Sequence, residues 1–149
     1  MSHDGHPPPP AARRRAGRSV GPLVVVAGES LIDRIVSVDG SVVEVPGGGP
    51  FTTARALARL GCRVAFVGRL STDSHGRLLR ELLEGDGVDV AVARSTDDPT
   101  LIATATLDAF GAATYAFGPL RSAAAGLTTA DVAASRDLLD EAAVLHVGT

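Results

Sequence analysis

Three short and almost wholly apolar runs limit what this chain can become: LVVVAG (23–28), RVAFVG (63–68) and AAVLHVG (142–148). Each is rich in β-branched residues and too short for a helix. Such runs read as strands buried on both faces, as in a parallel sheet. A further run, VDVAVA (88–93), is strand-like. Helical segments separate them. Phe51 to Leu60 carries Ala54, Leu57 and Ala58 and stops at Gly61. Ser74 is placed to cap a helix that stops at Gly85 or Gly87, with Leu78, Leu79, Leu82 and Leu83 as its apolar stripe. Thr128 or Thr129 can cap a last helix through Asp131 to Leu139. Strands alternating with helices predict a parallel sheet with crossover helices.

Two β-hairpins interrupt that pattern. One spans 31–45 around Asp39-Gly40; the other spans 101–118 around Gly111. Thr104 and Thr106 alternate with apolar neighbours, which suits a sheet with one wetter face. Neither hairpin has a helix of its own to bury a face against. They are predicted to pair into a small sheet standing over one edge of the core.

A length of 149 residues, with 45% apolar and 21% charged, suits one globular domain. The net charge of −3 gives no broad attraction to nucleic acid or anionic membranes, and 3% aromatics argue against a base-stacking surface. No segment has the ~20 apolar residues needed to span a bilayer. The lone Cys62 forms no internal disulfide and reads as a small buried apolar residue, in keeping with a reduced, cytoplasmic setting. Residues 1–20, with a proline run and four arginines, read as a disordered tail or as sequence upstream of the true start.

The segment PGGGPFTTARALARLG (46–61) puts glycines directly before a helix, where backbone N–H groups and the positive helix end face whatever lies in front of them. A phosphate-binding P-loop needs a lysine after its glycines, and this chain has no lysine. A dinucleotide-binding G-x-G-x-x-G should follow the first strand directly. Here Glu29 and Ser30 follow that strand, the glycines come some twenty residues later, and Thr52 stands at the third glycine position.

A longer pattern fits better. The order is strand, Gly28-Glu29-Ser30, Asp33, hairpin, PGGGP, a helix ending ARLG, VAFVGRL, Asp73 and Gly76, an LLREL helix, GVDV, Pro99-Thr100, a hairpin at Asp108–Gly111, and LHVGT. From about Leu23 to Thr149 it resembles the ribokinase-like (PfkB) family of carbohydrate kinases, most closely its fructokinase-like members. The resemblance implies a doubly wound parallel core with a β-sheet lid, the lid segments lying at about 31–46 and 100–118 of a kinase portion spanning 21–149. It implies phosphorylation of a sugar hydroxyl, with ATP and Mg²⁺ as cofactors, and a homodimer formed through the lid sheet.

Residue by residue, Asp33 matches the family aspartate that binds sugar hydroxyls. An ionised carboxylate can accept hydrogen bonds from two adjacent hydroxyls. Gly47 and Gly48 match the family's double glycine. Thr52 stands where the family usually has asparagine and offers a hydroxyl of shorter reach. Arg55 is also unlike the usual small residue, and either faces solvent or approaches an anionic substrate. Asp73 matches a turn aspartate that fixes a loop, with Ser71 in place of a glycine; His75 beside it reads as surface. Thr100 and Phe117 are candidate lid residues. His146 reads as a core histidine, and Glu29 as a residue that orders the site or pairs with an arginine. The family's second signature, a D-T-x-G-A-G-D type segment carrying the catalytic aspartate and the anion hole, does not occur in residues 1–149. The chain is therefore expected to supply the sugar-binding half without transferring phosphate. The alternative is a non-catalytic sugar-binding or dimerisation module.

Overall fold

The structure, a computed structural model, describes residues 21–148. The predicted tail at 1–20 lies outside the described residues, as does Thr149. Nine strands are described: β1 (Leu23–Gly28), β2 (Leu31–Val36), β3 (Val42–Gly47), β4 (Arg63–Val67), β5 (Arg69–Ser71), β6 (Arg94–Thr96), β7 (Leu101–Leu107), β8 (Ala113–Gly118) and β9 (Val144–Gly148). The helices are α1 (Gly49–Arg59), α2 (Ser74–Gly85), α3 (Thr129–Ala134) and α4 (Arg136–Glu141), with a 3₁₀ turn at Ala124–Gly126.

The core sheet is parallel, in the order β4-β1-β9. Because strand side chains alternate, β1 feeds two layers. Val24 and Val26 point toward Phe51 and Ala54 of α1 and Leu79 and Leu83 of α2, while Leu23, Val25 and Ala27 point toward Leu138 and Leu139 of α4. Helices on both faces of a parallel sheet are the doubly wound arrangement that the apolar runs predict. The two hairpins do share one sheet, in the order β3-β2-β7-β8, joined through a parallel β2–β7 pair. The Asp39-Gly40 turn forms as expected: Gly40 has φ 80° and Ser41 N–H donates to Asp39 at 2.9 Å.

Four expectations need correction. VDVAVA is not a paired strand. Asp89 makes one bridge to Ala65, then its side chain accepts from Ala91 N–H and turns the chain; pairing resumes only at β6, beside β5. Val88, Val90 and Ala93 are buried all the same, so the apolar run reports packing rather than pairing. The last helix breaks at Ser135, whose hydroxyl donates back to the Asp131 carbonyl at 3.0 Å and competes with the helical ladder. Strand β9 is not buried: among the described residues it pairs with β1 alone, and Val144, Leu145, His146 and Val147 are exposed. His146 is thus not a core histidine. The cap of α2 is Asp73 rather than Ser74, because its carboxylate reaches Gly76 N–H at 2.7 Å.

Candidate functional site

The site begins where β2 leaves the core. Ser30, Leu31 and Ile32 are buried at that junction. Beyond them the period of two divides the four-stranded sheet into unlike faces. The strand registers align Asp33 with Val45, Ala103 and, through Ala103, Phe117; Ile35 aligns likewise with Val43, Ala105 and Tyr115. One face is therefore apolar except for a single carboxylate. On the other face Ile32 and Ile102 enter the core cluster, while Arg34 and Glu44 pair at 2.6 Å farther out.

Asp33 is exposed on the apolar face and sits against Gly47 of the neighbouring strand. A Cβ at Gly47 would lie 2.0 Å from Asp33 Oδ2. Gly48 needs its own freedom: φ is 101°, and a Cβ there would come within 3.0 Å of the Glu29 carbonyl. The first glycine makes room for the carboxylate, and the second lets the start of α1 press on the β1–β2 link. Helix α1 then opens with Pro50 in its first turn and no side-chain cap, leaving backbone N–H groups free at that end. Thr52 lies in this first turn, exposed, its N–H bonded to the Gly48 carbonyl at 3.0 Å. Asp33, Gly47, Gly48 and Thr52 are thus brought to one junction of the four-stranded sheet and the core. Arg55 turns away from it, pairing with Asp86 at 2.6 Å and covering the Phe51 ring.

Asp73 and Thr100 form a separate joint. Asp73 Oδ1 accepts from Gly76 N–H and from the Thr100 hydroxyl, both at 2.7 Å, and Oδ2 accepts from Thr100 N–H at 2.8 Å. Burial pushes the Asp73 carboxyl upward, but the bonds from Thr100, Gly76 and Ser71 outweigh it and hold the pKa down at about 2. The joint ties α2 to the first residue before β7. Phe117 is exposed on the apolar face near the lid edge, its ring 6.5 Å from that of Tyr115.

Below the lid, at the C-terminal ends of β1 and β9, lies an apolar cleft of about 370 Å³ lined by Gly28, Glu29, Leu101, Ala124, Leu127 and Val147 among others. It adjoins the Asp33 junction through Glu29, whose carbonyl lies 3.0 Å from where a Cβ on Gly48 would stand, but Asp33 itself does not line it. A larger hollow of about 670 Å³, between α2 and residues 87–95, contains none of the residues named for the site.

Sequence reasoning missed two supports. A Cβ on Gly28 would meet the Gly148 carbonyl at 2.1 Å and Pro50 at 2.6 Å, so the strand ends and α1 close up only because that position is glycine. Asp131, 4% exposed, takes Arg94 at 3.0 Å and Arg69 at 3.2 Å while closing a capping box with Thr128. The Arg69 contact is an ion pair, since its Nε lies off the hydrogen-bond axis. The Thr128 hydroxyl lowers the Asp131 pKa most, burial opposes it, and both arginines assist. This cluster fastens the Ala124–Leu127 wall of the cleft to β5 and β6. The glycine before Glu29 was a signal that could have been read; an arginine pair distant in sequence was not.

No described helix is long and apolar enough to cross a membrane. Residues 22–149 match the pfkB family carbohydrate kinase family. Fructokinase-1 of Oryza sativa subsp. japonica is 40% identical over 142 residues, covering 90% of this chain and 43% of that protein. The crystal structure of fructokinase from Xylella fastidiosa superposes with a TM-score of 0.74 at 27% identity, covering 85% of this chain and 42% of that one. A second structure of the Xylella enzyme, with bound ATP, gives 0.73 at 27% identity, covering 84% and 38%. The chain spans less than half the length of these relatives. With a solved fructokinase superposing over 85% of it and a family match over nearly its whole length, the chain belongs to the pfkB family of carbohydrate kinases.

Proposed function

We propose that this chain forms the sugar-binding half and lid of a fructokinase-like kinase, in which a sugar hydroxyl receives the γ-phosphate of ATP. The observation that carries the reading is the Asp33–Gly47 contact at the foot of the lid. Asp33 accepts hydrogen bonds from two neighbouring sugar hydroxyls. Gly47 and Gly48 let the ring approach the backbone, and the Thr52 hydroxyl adds a short-reach contact. The apolar lid face packs over the ring and excludes water from it. Asp73 and Thr100 hold the root of β7, and so set the height of that face. Fructose is the first sugar to test, because the relatives above carry that name.

ATP and Mg²⁺ are expected from the family. Among the described residues no three His, Cys, Asp or Glu side chains gather to hold a metal, and the sequence contains no lysine to place on a phosphate. We propose further that the 149-residue chain binds sugar without phosphorylating it. Calorimetric titration with fructose, paired with a coupled assay for ADP release, tests both parts: heat of binding without turnover supports the reading, whereas turnover or an absence of binding opposes it.

A second reading is favoured by one observation. Val43, Val45, Tyr115 and Phe117 are 45–64% exposed on a single sheet face. Such a surface suits pairing of two lids into a homodimer. Sedimentation velocity on the chain tests it.

A further inference from the structure

We propose that Phe117 is a specificity-determining residue of the sugar site: with Asp33 it bounds a slot, floored by Ala103, that takes a sugar in its ring form with a carbon–hydrogen face against the aromatic wall. The inference deepens the reading above and rests on it.

Strand register sets three unlike side chains in one row across the sheet: Asp33 on β2, Ala103 on β7 and Phe117 on β8. The next row on the same face repeats the profile with Ile35, Ala105 and Tyr115. In both rows β7 contributes a methyl group between taller neighbours. Ala103 is buried although Asp33 and Phe117 on either side are exposed, as befits the floor of a slot. Thr104 and Thr106, the bulkier alternate residues of β7, belong to the opposite face. Leu101 precedes Ala103 on the slot face and lines the cleft of about 370 Å³, so the slot runs into that cleft.

Neighbouring strands lie about 4.8 Å apart, so the two walls stand about 10 Å apart at their roots. A hydroxyl-to-carboxylate bond of about 2.7 Å at one wall and a carbon contact of about 4 Å at the other leave the width of a single carbon ring. The walls also match the two surfaces of such a ring. Its hydroxyl rim donates to the Asp33 carboxylate. Its carbon–hydrogen face is apolar and weakly positive, and meets the negative face of an aromatic ring. Tyr115 lengthens the aromatic wall, its ring 6.5 Å from that of Phe117 at an interplanar angle of 17°. An open-chain polyol offers the same hydroxyls to Asp33 but no fixed face to Phe117.

Tyr115 is the sole tyrosine and the chain has no tryptophan, so intrinsic emission reports this wall alone. The test titrates the 149-residue chain with fructose by calorimetry and follows acrylamide quenching of Tyr115 emission alongside. Quenching should fall as fructose binds, with the midpoint that the heat gives. Phe117→Ala should weaken fructose binding about three- to tenfold, the size of one aromatic contact, at an unchanged melting temperature. Sorbitol, which has the hydroxyls without the ring, should bind more weakly than fructose and lose less in Phe117→Ala. Heat of binding without a change in quenching, full fructose affinity in Phe117→Ala, or equal affinity for sorbitol and fructose in the parent overturns the slot and leaves the Asp33 reading standing. Quenching that follows protein concentration and not fructose also overturns it, because a second copy then covers the wall. Absence of fructose binding in calorimetry overturns the sugar-site reading and the slot with it.

Discussion

Replacing Asp73 by alanine gives the sharpest energetic test, because one carboxylate serves two elements. It caps α2 through Gly76 N–H and holds the N–H and hydroxyl of Thr100, a residue only 3% exposed. Loss of an N-cap costs about 1 kcal/mol. A buried amide and hydroxyl left without partners cost about 1–2 kcal/mol more. The expected total is about 2–3 kcal/mol, read as a lower midpoint in urea at unchanged slope. An independent figure comes from pH. A carboxyl held at about 2 rather than 3.8 corresponds to at most about 2.5 kcal/mol, and solvent screening at this partly exposed side chain reduces that to roughly half. The sign follows from the depressed value: the contribution is complete above about pH 4 and is lost as the pH falls through 2. Urea melts followed by circular dichroism at pH 7, 4 and 2.5 should show the gap between wild type and Asp73→Ala shrinking toward acid. Thr100→Val in a double-mutant cycle should show coupling to Asp73. A variant within about 0.5 kcal/mol of wild type at pH 7, or a gap that widens toward acid, would refute the reasoning.

Gly47→Ala should displace the Asp33 carboxylate, since the new Cβ would stand 2.0 Å from Oδ2, and weaken fructose binding about tenfold in calorimetry while the melting temperature changes little. Gly48→Ala should act on stability instead: with φ at 101° and backbone 3.0 Å away, it should cost about 1–3 kcal/mol in chemical denaturation. Phe117→Asp, on the exposed lid face, should shift any dimer seen by sedimentation velocity toward monomer without loss of helical signal.

Much of the framework was legible because it rests on local rules. The runs at 23–28 and 63–68 carry no polar interruption, and only a strand covered on both faces tolerates that. Asp39-Gly40 and Gly111 mark turns that need positive φ, and both glycines have φ 80°. Asp33 and Gly47 were named only through the family resemblance; the structure supplies the reason they are neighbours, since Leu31 pairs with Gly47 and Asp33 stands two residues along the same face. What escaped depends on partners distant in sequence. Val88 and Val90 look like strand residues because they are buried, yet the loop that carries them packs without a ladder. Asp131 looks like an ordinary first-turn acid; its burial follows from Arg69 and Arg94, some forty to sixty residues earlier. Strand β9 has the composition of a buried strand, but Val144 to Val147 are exposed because the described helices leave its faces uncovered. Asp73 shows how a local and a distant role coincide: the sequence offered Ser74 as the cap one residue later, and both the Asp73 bond to Gly76 and its hold on Thr100 needed the fold.

The account stands on Asp33 and the two glycines gripping a sugar together. Amide resonances of Gly47 and Gly48, followed by NMR as fructose is added, test this directly. The account predicts saturable shifts at both glycines in the wild-type chain and their loss in Asp33→Asn, with the rest of the spectrum preserved. Shifts of equal size in Asp33→Asn, or none at these glycines in wild type at saturating fructose, would contradict it.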